Sequence, residues 1–171
     1  MGLSTTSVGK KMMRISLMHR ITIEKATIEK GLYFGQFPVL DFVTKNNGCT
    51  QAQLAQHMQV SAPSVARSVA RMERAGLIER VGDENDRRCN QLSVTEKGIK
   101  TANICRAHIE ALNSKMLEGF SCEEIDALGA YLDRMIENLS TDTFKDNNMF
   151  SLVAQAMELH KSKEPKHKET D

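Results

Sequence analysis

Apolar positions recur along most of the chain at steps of three and four, the period of helices that turn one face inward. Residues 10–29 depart from this by carrying Met12, Met13, Ile15, Leu17, Met18, Ile21, Ile23 and Ile28 on more than one face. A helix patterned so needs cover on two sides. An element shared between two subunits has that pattern, and so has a central core helix. A shorter helix is expected over Phe34 to Val43, with Pro38 tolerated near its first turn and Asn46-Asn47-Gly48 ending it.

From Thr50 the local signals are dense. Thr50-Gln51-Ala52-Gln53 has the spacing of a capping box, and Leu54, Ala55 and Met58 give the helix behind it an apolar face. After a break at Gln59-Val60, Ser61 is placed to cap a second helix, with Pro63 in its first turn and Gly76 just past its end. Helix, tight turn and helix in this span form a helix-turn-helix. Val65, Val69 and Met72 should face the core, leaving Ser64, Arg67, Ser68 and Arg71 on the opposite side. Leu77 to Val81 and Gln91 to Val94 read as two short strands joined by a charged loop, a hairpin with an arginine-tipped end.

Thr95-Glu96 opens a long helix to about Gly119, striped by Ala102, Cys105, Ile109, Leu112 and Met116. A further helix starts at Ser121, with Glu124 completing a second capping box and Ile125, Leu128, Leu132, Met135 and Leu139 in the same rhythm. Two such stripes joined by a tight turn suggest an antiparallel pair. Met149, Leu152, Val153, Ala156 and Met157 allow one more helix, and Lys161 to Asp171 is a charged tail predicted to be disordered.

The 171 residues, 40% apolar and 26% charged, fit a single folded domain, and no apolar run approaches a membrane span. A cytoplasmic protein is expected, although Met1 to Thr6 fits the loose myristoylation pattern, which is common by chance. The net charge of +1 conceals a division of the basic residues. Six of the ten arginines (Arg67, Arg71, Arg74, Arg80, Arg87 and Arg88) lie in one stretch, and no lysine occurs between Lys45 and Lys97. Arginine reads guanine edges and phosphates with a planar fork, so a recognition surface is expected in this stretch.

The stretch Thr50 to Gly98 resembles the MarR family of bacterial winged-helix regulators. The resemblance is carried by Asp83-Glu84-Asn85-Asp86-Arg87-Arg88, similar to the family's D-x-x-D-x-R wing signature, and by Leu92-Ser93-Val94-Thr95-Glu96-Lys97-Gly98, similar to its L-T-x-x-G motif. Thr50 to Ala55 and Arg71 to Arg80 also fit, with Met72 and Val94 standing where the family has leucine. The likeness implies a mainly α (α+β) fold, a winged helix-turn-helix whose amino- and carboxy-terminal helices form a dimerisation domain. The implied division is 1–47 for the first helices, 48–98 for the winged helix-turn-helix, 99–160 for the dimerisation helices and 161–171 for the tail.

The function so implied is sequence-specific binding of double-stranded DNA by a ligand-responsive repressor, a homodimer on a pseudo-palindromic operator. Pro63, Ser64, Arg67, Ser68 and Arg71 would face bases and phosphates, and Ser61 would lend its helix terminus to a phosphate. Arg88 matches the wing-tip arginine of the minor groove and Asp86 the acid orienting it, with Arg87 on a phosphate. A small-molecule effector pocket is implied where the first helices meet the winged domain, with His19, Tyr33 and Phe37 beside Met13 and Met18. Ordinary core packing accounts for these residues as well.

Other chemistry is poorly supplied. The four cysteines contain no C-x-x-C pair, Cys105 and His108 offer at most one edge of a metal site, and no metal or cofactor is expected. Cys89 beside two arginines could have a lowered thiol pKa, and an inert surface thiol is the plainer reading. Phosphate loop, nucleophile elbow and paired carboxylates are all missing, so an enzyme is not expected. The reading from another class is a dimeric effector- or protein-binding winged-helix module without operator binding.

Overall fold

The helical periods are realised in a computed structural model that describes residues 5–29, 32, 36–82, 90–140, 144, 148–153 and 155. Among these residues the order is α1 (Thr5–Ile28), α2 (Gln36–Lys45), β1 (Cys49–Thr50), α3 (Gln51–Met58), α4 (Ala62–Arg74), β2 (Ile78–Gly82), β3 (Asn90–Val94), α5 (Glu96–Met116) and α6 (Cys122–Leu139). The sheet runs β1–β3–β2, antiparallel throughout, with Cys49 opposite Leu92 and Ile78 opposite Val94. The sequence pattern did not suggest β1, which is two residues long and too short to display a period.

Both predicted capping boxes form. Thr50 and Gln53 bracket the start of α3, and Ser121 and Glu124 that of α6, each pair satisfying the other's backbone amide. Ser61 precedes α4 as expected, yet its side chain makes no capping bond. Val39, Leu40, Val43, Leu54, Val65, Val69, Met72, Leu92, Ala102 and Cys105 close one core beneath the helix-turn-helix and sheet.

One junction joins α4, the sheet and α5. Gly76 takes φ +68, which glycine adopts without a steric penalty, and turns the chain from α4 into β2. The Thr95 hydroxyl accepts from the Gly98 amide at 3.0 Å, capping α5, and donates to the Gly76 carbonyl at 2.8 Å. Lys97 donates to the Ala75 carbonyl at 2.6 Å, placing its charge at the negative end of α4. Gly98 is buried so closely that a β-carbon there would stand 2.0 Å from the Leu77 carbonyl oxygen. Each of Thr95, Lys97 and Gly98 thus has a separate physical task.

A second brace links α2 to α5. Asp41 accepts from Arg106 at 2.5 Å and pairs with Lys45 at 2.8 Å. Burial raises the carboxyl pKa, but the hydrogen bonds and charges of Lys45 and Arg106 outweigh it and hold Asp41 below the ordinary carboxylate range.

The expected antiparallel pairing of the α5 and α6 stripes is not made within the chain. α6 buries none of its residues, while α5 turns Thr101, Ala102 and Cys105 into the winged-domain core. α1 likewise buries only Thr27. Among the described residues neither apolar surface finds its cover within the chain.

Replacing Gly98 with alanine should destabilise the fold by about 1–3 kcal/mol, because the obstructing atom is backbone and cannot rotate away. Thermal unfolding would register this as a lowered midpoint, and an unchanged midpoint would contradict the close approach. The lowered pKa of Asp41 means that its ionised form favours the folded state. That contribution is complete above the ordinary carboxylate value of 3.8 and is lost as pH falls through the lower folded value. Urea midpoints of wild type and Asp41→Asn should therefore differ at neutral pH and converge under acid conditions.

Candidate nucleic-acid interface

Burial of Val65, Val69 and Met72 fixes the rotation of α4 about its axis. The opposite face presents Ser61, Pro63, Arg67 and Arg71 exposed, with Ser64 and Ser68 half-buried between them. The structure thus gathers on one surface the α4 residues that the sequence assigned to DNA. Ser61 Oγ donates to Ser64 Oγ at 3.0 Å, Arg67 Nη2 donates to Ser64 Oγ at 3.2 Å, and Arg71 Nε donates to the Arg67 carbonyl at 3.4 Å. These are exposed, neutral-acceptor bonds, and a phosphate or a base edge can replace such an acceptor with a stronger one. No carboxylate is paired with Arg67 or Arg71 among the described residues.

Arg80, one of the six clustered arginines and not among those assigned to DNA, has a structural partner. Its Nε donates to Glu73 Oε1 at 2.9 Å. With the Gln51 amide oriented to present its oxygen, Nη1 and Nη2 also approach that oxygen at 3.0 and 3.2 Å. Arg80 therefore ties β2 to α3 and α4, holding the helix-turn-helix against the hairpin. Sequence reasoning missed this because Glu73 and Arg80 are seven positions apart on different elements, a spacing with no local meaning. Asn47 was read only as a helix stop. Its Oδ1 accepts from the Val94 amide at 2.9 Å and from Ser93 Oγ at 3.1 Å, fastening the α2–β1 turn to β3.

The hairpin pairs in register from Ile78 with Val94 to Gly82 with Asn90. Asp86, Arg87, Arg88 and Cys89 lie outside the described residues, as does Tyr33. Of the other residues assigned to an effector pocket, His19 shares a 3.1 Å hydrogen bond with Asn113 of α5, and Phe37 is half-buried against the core. Met13 and Met18 are exposed. None of these lines the open cavity of about 370 Å³ formed by Phe42, Asn46, Asn47, Gly48, Cys49 and Gln53.

Cys49 and Cys105 are buried and Cys122 is exposed. Burial pushes the Cys49 thiol up and keeps it protonated. Cys105 is enclosed while His108 faces outward, and the described residues contain no group of three His, Cys, Asp or Glu side chains able to hold a metal. Among the described residues no helix is long and apolar enough to cross a membrane.

Comparison with known proteins agrees with this geometry. Residues 30–88 match the model of the MarR family. The chain is 32% identical over 108 residues to an uncharacterized HTH-type transcriptional regulator, YybA of Bacillus subtilis (strain 168), spanning 63% of this chain and 72% of the relative. Its fold matches the YusO protein of Bacillus subtilis with a TM-score of 0.66 at 20% identity, over 77% of this chain and 94% of that one. It also matches a MarR family regulator of Listeria monocytogenes, solved in complex with a 26mer DNA, with a TM-score of 0.60 at 25% identity over 86% of this chain and 98% of the other. The capped helix-turn-helix, its hairpin and these likenesses have one meaning: the chain belongs to the MarR family of transcriptional regulators.

Proposed function

We propose that the protein is a cytoplasmic, ligand-responsive repressor that binds a pseudo-palindromic operator as a homodimer. The observation that carries this reading is the outer face of α4, where Arg67 and Arg71 stand exposed without carboxylate partners among the described residues while Arg80 is drawn into a brace. In this reading Pro63, Ser64, Arg67, Ser68 and Arg71 meet bases and phosphates in the major groove, and Ser61 offers the α4 terminus to a phosphate. Arg88 enters the minor groove, oriented by Asp86, with Arg87 on the backbone. The effector would enter beside His19, Tyr33 and Phe37.

Dimerisation is supported by uncovered apolar surface. Met13, Ile15, Met18 and Ile21 of α1 and Ile125, Leu128, Leu132 and Ile136 of α6 are all exposed in the single chain. Monomeric proteins rarely leave so much apolar surface in water. A division into first helices (1–47), winged domain (48–98), dimerisation helices (99–160) and tail (161–171) follows. Two recognition helices carried this way would read half-sites about 34–36 Å apart.

The two arginine groups should fail differently. Arg67→Ala should weaken binding to the selected operator by about 1–3 kcal/mol while affecting random duplex less. Arg88→Ala should reduce discrimination at the outer flanks of the operator and leave central positions unaffected. Titration of operator, flank-substituted and random duplexes over a salt series checks both, and equal losses on all three would refute the division of roles. Leu132→Asp should prevent assembly by burying an unpaired charge in the α6 stripe. Light scattering that found wild type monomeric at micromolar concentration would overturn the dimer.

A further inference from the structure

We infer that residues 148–153 form a clamp on the helix-turn-helix turn, with Asn148 as a positioning residue for α4. The turn they grip is conformationally demanding. Gln59, directly after α3, is left-handed at φ 51 and ψ 41, a region that side chains with a β-carbon disfavour. Such a residue persists only where its surroundings hold it in place.

Asn148 supplies that hold. Its backbone amide donates to Gln59 Oε1 at 2.8 Å, and its Nδ2 donates to the His57 carbonyl at 2.8 Å. The second bond satisfies a carbonyl in the last turn of α3, where no intrahelical donor follows. The other half of the same side chain faces its own segment. Oδ1 accepts from the amides of Phe150 and Ser151, both at 3.0 Å, capping the helical turn at 149–153. Ser151 is buried and returns its hydroxyl to the Asn148 carbonyl at 2.9 Å. Phe150 packs on the core, its ring 6.2 Å from that of His57, which in turn lies 4.4 Å from Phe42.

The segment thus attaches to the end of α3 and to the residue two positions before Ser61, with Phe150 packed on the core. Its docking fixes the angle at which α4 leaves the turn. Whatever favours the docked turn raises the protein's affinity for DNA, and DNA in return favours docking, because coupling between two equilibria is reciprocal. This inference rests on the operator-binding reading of α4, and its test separates the two.

Asn148→Ser keeps a cap for the 149–153 turn but is too short to reach His57, and Gln59→Ala removes the other anchor. In the full chain without DNA, hydrogen exchange at the Val60 amide, which bonds to the Ala55 carbonyl at 3.2 Å, reports the turn. Both variants should exchange faster there. Affinity for a duplex selected by wild type from a random pool should fall about fivefold, the worth of one net hydrogen bond, with the salt slope unchanged because no phosphate contact is lost. The random, unselected duplex should be bound nearly as before. Unchanged affinity for the selected duplex overturns the inference, and so does an equal loss on both duplexes with a reduced salt slope, which would make Asn148 a backbone contact. If wild type retains no duplex, the operator reading fails and exchange alone decides: unchanged rates in Asn148→Ser overturn the clamp.

Discussion

Among the described glycines, Gly98 at the start of α5 makes the tightest approach, against the chain leaving α4, and the placement of α4 depends on it. Thr95, Lys97 and Gly98 seat α5 against Ala75, Gly76 and Leu77 with hydrogen bonds, a charge at the end of a helix dipole, and the absence of a β-carbon. Among the described residues α5 is the longest element after α1, and this junction ties its first turn to the end of α4. The junction thus fixes the start of α5 against the end of α4 and the turn into the hairpin.

Charge is divided between structure and recognition on the same principle. Arg106 on Asp41, and Arg80 on Glu73 and Gln51, are partly buried and geometrically defined, so their guanidinium groups hold elements together. Among the described residues, Arg67 and Arg71 bond to a hydroxyl and a backbone carbonyl and to no carboxylate. A guanidinium without a carboxylate partner gives up little when it meets a phosphate, which is why pairing, rather than arginine count, separates the two roles.

Exposed apolar surface and the carboxy-terminal segment answer different needs. α1 and α6 carry stripes that a single chain leaves in water, a surface suited to a second copy. Residues 148–153 instead fold back on α3, and Asn148 spends its polar atoms on both the segment and the turn. The first surface is left for a partner to cover, and the second bears on how α4 is aimed.

The sequence by itself determined whatever depends on neighbours within about four positions. Both capping boxes, the inward Val65-Val69-Met72 face and the Thr95 cap of α5 were legible because the residues concerned lie within two helical turns of one another. The tertiary structure alone decided what joins distant positions. The strand β1, the Arg80 brace, the Asn47 fastening and the Asn148 clamp link residues up to 91 positions apart, and no periodicity encodes such pairs. It also decided that α5 gives part of its stripe to the winged domain while α6 stays uncovered. An apolar stripe states that a helix needs a partner, and only the path of the chain settles which surface is within reach.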